Sequence, residues 1–136
     1  MSRQLVENFR SAHATILSSI DQILMVCRSY AQAKPHLRAL HQKVLAHLGR
    51  QDKELMDKLT VAFGDNRETA KLLEFLEHNL KDAKIKFLIF CDNHSGELAD
   101  VNARSFPKDF QEFSEELITR IKMEEEYLFP LLMELP

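Results

Sequence analysis

The chain has 136 residues, 45% hydrophobic and 29% charged, a composition that excludes intrinsic disorder, collagen and disulfide scaffolds. A formal net charge of −3 offers no basic field to nucleic-acid phosphates, so no nucleic-acid partner is expected. Three Gly and four Pro are too few for the turns of an all-β fold or for a Gly-rich nucleotide loop, which leaves an all-α class.

Apolar residues recur at three- and four-residue spacing throughout. The first predicted helix runs from about Arg3 to Ser29, on a stripe of Val6, Phe9, His13, Ile16, Ile20, Leu24 and Cys27. Ala33, Lys34 and Pro35 are expected to break it, since proline cannot continue one helix but can start the next. The second runs from about His36 to Phe63, on Leu37, Leu40, Val44, His47, Gln51, Leu55 and Leu59. Gly64 stands where a left-handed terminator is expected, and Asp65 with Glu68 resembles a capping box. The third runs from about Arg67 to Asp92, burying Leu73, Leu76, Leu80, Ala83, Phe87 and Phe90. A connection over 92–107 comes next, with a short extra turn in ELADV. The fourth runs from about Lys108 to the C-terminus, with Phe110, Phe113, Leu117, Ile121, Leu128 and Leu131 inward and Pro130 kinking or ending it. Four helices of ~25 residues with mostly short turns predict one domain, residues 1–136, folded as an antiparallel up-down-up-down four-helix bundle.

The N-terminal MSRQLVENFRSAH lacks the apolar core of a signal peptide, and no apolar run reaches the ~18 residues that span a bilayer. Cys27 and Cys91 form no CxxC pair and read as buried free thiols. A cytoplasmic protein with no membrane partner is expected. No Ser-His-Asp arrangement and no oriented Cys–His pair can be placed, so no enzymatic activity is expected. His36, His41, His78 and His94 fall at helix ends and outer faces and read as surface histidines.

The informative residues interrupt the apolar stripes. His13 lies between Phe9 and Ile16; His47 comes after Val44, with Gln51 one turn on and Asp52 beside it; Glu124 and Glu125 lie between Ile121 and Leu128, with Arg120 one turn before. A charge or imidazole inside a bundle needs a partner, because a bare one costs several kcal/mol. His13 and His47 stand at comparable distances from the first interhelical turn, so three helices offer ligand-type side chains at a similar depth.

These runs resemble the hemerythrin-like, HHE cation-binding family. The carriers are FRSAHATILSSI in the first helix, HLGRQDKEL in the second and, most specifically, RIKMEEEYLFPLL in the fourth. The resemblance implies a helical bundle holding metal in its core. His13 matches the first-helix ligand and His47 the second-helix histidine. Gln51, next to Asp52, stands at the bridging-carboxylate position, and Glu125, beside Glu124, matches the fourth-helix carboxylate. Arg120 replaces the fourth-helix histidine, and the two third-helix histidines fall on Leu80 and Lys84, or one register over on Ala83 and Phe87. Under the resemblance, the three histidines of one iron are therefore gone, and reversible O2 binding at a di-iron pair is not expected. The remaining set offers one 2-His-1-carboxylate site for iron or another divalent metal, with Zn(II) compatible.

A second reading stays open. Arg120 and Lys84 bring positive charge to the side of the lost ligands, and Arg120 paired with Glu124 or Glu125 and closed by Gln51 makes a metal-free salt-bridge core. The first reading implies sensing of oxygen or redox state, or iron handling. The second implies an interaction module that regulates a protein partner, such as a transcription regulator similar to the regulator-of-sigma-D family. Association as a homodimer is compatible with either.

Overall fold

The computed structural model describes residues 2–135, which form helices and no strand. Helix α1 (Ser2–Val26) buries Val6, Phe9, His13, Ile16, Ile20 and Ile23. Its last turn rotates away from the expected line, so Ile23 is inside and Leu24 exposed. Helix α2 (Tyr30–Ala46) starts before the expected break. Ser29, extended at φ −115° and ψ 106°, caps it by accepting from the Gln32 amide. Tyr30 fixes the start by donating its hydroxyl to the His94 carbonyl at 2.8 Å. Pro35 then lies within the helix, where it removes one hydrogen bond, to the Ala31 carbonyl, without ending the helix.

The predicted second helix is not uniform. A π-helical turn, His47–Gln51, separates α2 from α3 (Asp52–Phe63), and the Asp52 amide donates to the His47 carbonyl. Gly64 ends α3 with right-handed dihedrals, φ −60° and ψ −24°, which corrects the left-handed expectation. Glycine is suited there for another reason: a Cβ would lie 2.5 Å from the Thr60 carbonyl oxygen. Helix α4 (Arg67–Asn93) is capped by Asn66, whose Oδ1 accepts from the Thr69 amide at 3.1 Å; the Asp65–Glu68 box does not form. The extra turn in the connection is α5 (Gly96–Val101), entered through Gly96 at φ 55°. Helix α6 (Phe106–Met123) begins slightly earlier than expected, with Pro107 in its first turn. A second π turn, Glu124–Leu128, leads into α7 (Phe129–Met133). Pro130, which cannot donate to the Glu126 carbonyl, lies just past that turn without ending the helical run.

Helix α1 packs on α2, α6 and α7, while α4 packs on α3 and α6. Neighbours run in opposite directions. Ser19 accepts from Lys43 at 2.8 Å while the His13 and His47 rings lie 4.9 Å apart. Likewise Arg120 reaches the Leu76 carbonyl while Lys86 pairs with Glu116. The chain is an all-α helical bundle. One end is filled by aromatic rings, including Phe90 stacked on Phe113 at 4.6 Å. About 25 Å away along α2, the core turns polar around His47. Among the described residues, no helix is long and apolar enough to cross a membrane.

Candidate metal centre

Both π turns begin at a residue of this polar core, His47 and Glu124. A π turn adds one residue to a helical turn and rotates the buried face of the helix beyond it. Past the first, the shift brings Asp52 inside beside His47 and leaves Gln51 half-buried. Past the second, it brings Phe129 inside after Glu124. The fourth-helix carboxylate that turns inward is Glu124, fully buried on the regular line of Leu117 and Arg120 ahead of that turn, and not Glu125, whose side chain is 44% exposed.

The two imidazoles converge on one oxygen. Nε2 of His13 and Nε2 of His47 each lie 2.8 Å from Glu124 Oε1. Each ring is oriented from its other nitrogen: His47 Nδ1 faces Gln51 Oε1 at 3.1 Å, and His13 Nδ1 faces Glu125 Oε1 at 3.5 Å. Gln51 and Glu125 thus orient ligand-type side chains from outside. Nε2–H of each ring donates to Glu124 Oε1 in this structure; a metal at the centre would take the place of that proton, with Nδ1 donating outward to Gln51 and Glu125. Phe129 stacks on His13 at 5.6 Å and 6° between planes, and Phe9 meets His47 edge-on at 5.8 Å, so apolar rings cover the histidines.

The opposite side is cationic. Arg120 is 1% exposed and is anchored on α4, donating from Nη1 to the Leu76 carbonyl and to Asn79 Oδ1, each at 3.0 Å. Its Nη2 lies 3.5 Å from Asp52 Oδ2 and its Nε 3.5 Å from Glu124 Oε2. These are ion pairs too long for good hydrogen bonds. Asp52 and Glu124 share a hydrogen bond, and beyond it neither Asp52 oxygen nor Glu124 Oε2 has a hydrogen-bond partner among the described residues. Gln51 does not close this network, as it is engaged with His47. Lys84 does not join it either: it is half-buried, off the line of Leu73, Leu76, Leu80 and Phe87 that α4 turns inward. Asn79 takes the anchoring role on α4, with no signal in the sequence beyond its position one turn before Ala83.

The electrostatics are set by that geometry. Burial resists charge on His47, but Glu124, then Asp52 and Gln51, outweigh it and push the imidazole up to about 9. Burial also resists charge on Glu124, yet hydrogen bonds from His13 and His47 hold its carboxyl well below the usual range. Burial and the neighbouring Glu124 carboxylate push Asp52 well above its ordinary value, against the opposing pull of His47 and Arg120.

The donor set fits a cation. Ligand atoms from His13, His47 and Glu124 all lie within 4.8 Å of one another, and all three residues are buried. The sequence family described as the hemerythrin HHE cation binding domain matches residues 4–132. The chain belongs to the hemerythrin HHE cation-binding family. The matched span holds every residue of the centre, and metal binding is what the family implies for it. No curated protein and no solved structure matches the chain. In this family member, the positions that the resemblance gives to the third-helix histidines carry a buried Leu80 and a half-buried Lys84, and the guanidinium of Arg120 takes the remaining one.

One histidine reading needs correction, while His41 is exposed as expected. His94 is not a surface residue: it is 2% exposed, and its Nε2 lies 3.0 Å from Asp109 Oδ2, joining the α4–α5 corner to α6. His41 lies 3.3 Å by Nδ1 from Cys91 Sγ, a Cys–His pair not expected from spacing. Both cysteines are free and half-buried, and burial pushes the Cys91 thiol up to about 11, so it stays protonated and unreactive near neutral pH.

Proposed function

We propose that this HHE domain binds one divalent metal ion through His13, His47 and Glu124, and that it serves as an iron-, oxygen- or redox-responsive binding protein and not as an enzyme. The observation that carries the reading is the convergence of two buried Nε2 atoms on Glu124 Oε1, beside a second buried carboxyl, Asp52, that has no donor from outside the pair hydrogen-bonded to it. A purely structural salt-bridge core is stable only when such groups are satisfied. Two imidazoles with a carboxylate suit non-haem Fe(II), and Zn(II) is compatible. A bound iron would supply a redox-active centre with positions open to a small ligand.

A cavity of about 150 Å³ between α1 and α3 reaches Phe9 and Gln51, at the outer edge of the histidines. That volume admits a few waters or a diatomic gas, whereas a second cavity of about 490 Å³, lined by Asn79, Ala83, Glu116, Thr119 and Arg120, opens on the cationic side of the centre. A protein partner fits the same reading. Helix α4, which anchors Arg120, also exposes Ile85, Leu88 and Ile89 at helical spacing, an unusual density of apolar side chains on an outer face.

The test is anaerobic loading of metal-free protein with Fe(II), then elemental analysis. About one iron per chain is expected in the wild type, and none in His13→Ala. A folded wild type that takes up no Fe(II) refutes the reading.

A further inference from the structure

The two buried carboxylates are each divided between the same two neighbours. Glu124 presents Oε1 to the histidines at 2.8 Å and Oε2 to Arg120 Nε at 3.5 Å. Asp52 presents Oδ1 to His47 Nε2 at 3.5 Å and Oδ2 to Arg120 Nη2 at 3.5 Å. Each carboxylate therefore spans from the imidazole side to the guanidinium side. The guanidinium is not held in place by these long contacts. It is held from behind, by the Leu76 carbonyl and Asn79 Oδ1 at 3.0 Å. A guanidinium does not lose its proton in a protein, so this positive charge is permanent.

The geometry points to Arg120 as a built-in second cation: it occupies the far side of both carboxylates and limits the centre to a single divalent ion, held among His13, His47, Glu124 and Asp52. This rests on the metal reading above and adds to it a fourth ligand and a fixed stoichiometry. Asp52 is the natural fourth ligand, because it is buried against Glu124, one of its oxygens already faces His47 at 3.5 Å, and no donor from elsewhere in the described residues is hydrogen-bonded to it. Two carboxylates balance most of the charge of one dication and one guanidinium. A second dication would face that guanidinium across the same two carboxylates, with both histidines already engaged. Arg120 here is a specificity-determining residue, acting through the oxygens that it holds away from the ion.

The test counts ions on the full chain with cobalt(II) as the probe. Metal-free protein is titrated anaerobically with cobalt(II), bound ions are counted by native mass spectrometry, and visible absorption reports the ligand field. The wild type and Arg120→Lys are expected to saturate at one ion per chain. Arg120→His replaces the fixed charge with a ligand facing the freed Asp52 and Glu124 oxygens and is expected to take two. Asp52→Asn is expected to keep one ion, bound about tenfold or more weakly, with an altered absorption spectrum. Two ions on the wild type would overturn the inference while leaving the metal reading intact. One ion on folded Arg120→His, or unchanged affinity in Asp52→Asn, would overturn it as well. No ion on the wild type would overturn the metal reading itself. If Arg120→His does not fold, the wild-type count and Asp52→Asn decide the matter.

Discussion

Metal-free protein should lose stability as pH rises from 6.5 to 9, with one residue contributing a loss confined to that window. His47 has an ordinary value of 6.5 and is held at about 9 in the fold, chiefly by Glu124 against the resistance of burial. A group whose folded value is raised stabilises the fold fully below its unfolded value. That stabilisation disappears as pH climbs through the folded value. The difference between 6.5 and about 9 corresponds to about 3 kcal/mol. That is a large share of the ~5–15 kcal/mol of a typical domain. Asp52 is also raised and adds a loss of the same sign, starting from its ordinary value of 3.8. Glu124 is lowered and acts in the opposite sense, destabilising only as pH falls below its ordinary 4.5. The Cys91 thiol adds a further loss between 9 and about 11, beyond the window of His47.

Urea denaturation of chelator-treated protein at half-unit pH intervals measures this directly, with His47→Gln run in parallel. The expected result is a decline in the wild type that is much smaller in His47→Gln. With saturating metal the window should be flat, because a coordinated Nε2 carries no proton in the fold. Over the same range, metal affinity should rise about tenfold per pH unit as the competing proton leaves. Equal slopes in wild type and His47→Gln would refute the assignment of His47, and with it the placement of Glu124 beside that ring.

Other outcomes test the architecture. Glu124→Gln should abolish metal uptake, whereas Glu125→Ala should retain it with affinity lowered about tenfold or less, since Glu125 only orients His13 from the rim; both are read by titration with Zn(II). Glu124→Ala leaves Arg120 with one weak carboxylate contact and should cost about 3–5 kcal/mol by urea denaturation. Gly49→Ala and Gly64→Ala should move thermal stability in opposite directions. A Cβ on Gly49 meets only Leu45 Cδ1, at 3.9 Å, and should add up to about 1 kcal/mol. One on Gly64 meets the Thr60 carbonyl oxygen at 2.5 Å and should remove about 1–3 kcal/mol.

The helical class and the core lines of α1 and α4 are legible in the sequence because apolar spacing reports burial directly. Helix starts are less legible, because they depend on which of several adjacent polar residues adopts an extended backbone. Asp65 with Glu68 and Asn66 with Thr69 are both plausible caps on paper, and Asn66 forms one at φ −87° and ψ 113°. Pro35 has the same ambiguity. A proline near a helix start reads as a boundary unless something upstream caps the chain, and here Ser29 does.

The centre itself illustrates a subtler limit. A 3.6-residue period carried straight through the second helix aligns His47 with Gln51, and carried through the fourth it leaves Glu124 and Glu125 undecided. One residue added at the first π turn brings Asp52 inside with His47; in the fourth helix Glu124 lies a regular turn past Arg120, and the residue added at the second π turn brings in Phe129. Neither turn has a sequence signature comparable to a cap. Gly49 lies within the first and Pro130 just past the second, and each weakens the regular alternative locally without specifying the wider turn. The wider turn is selected by tertiary contacts. Arg120, anchored on α4 by Leu76 and Asn79, meets Glu124 four residues on in regular helix, and the shifted register of the first π turn brings Asp52 to it from another helix. The guanidinium and the π turns are therefore parts of one arrangement, and a substitution that relaxes either turn should disturb the ion site even when it touches no ligand.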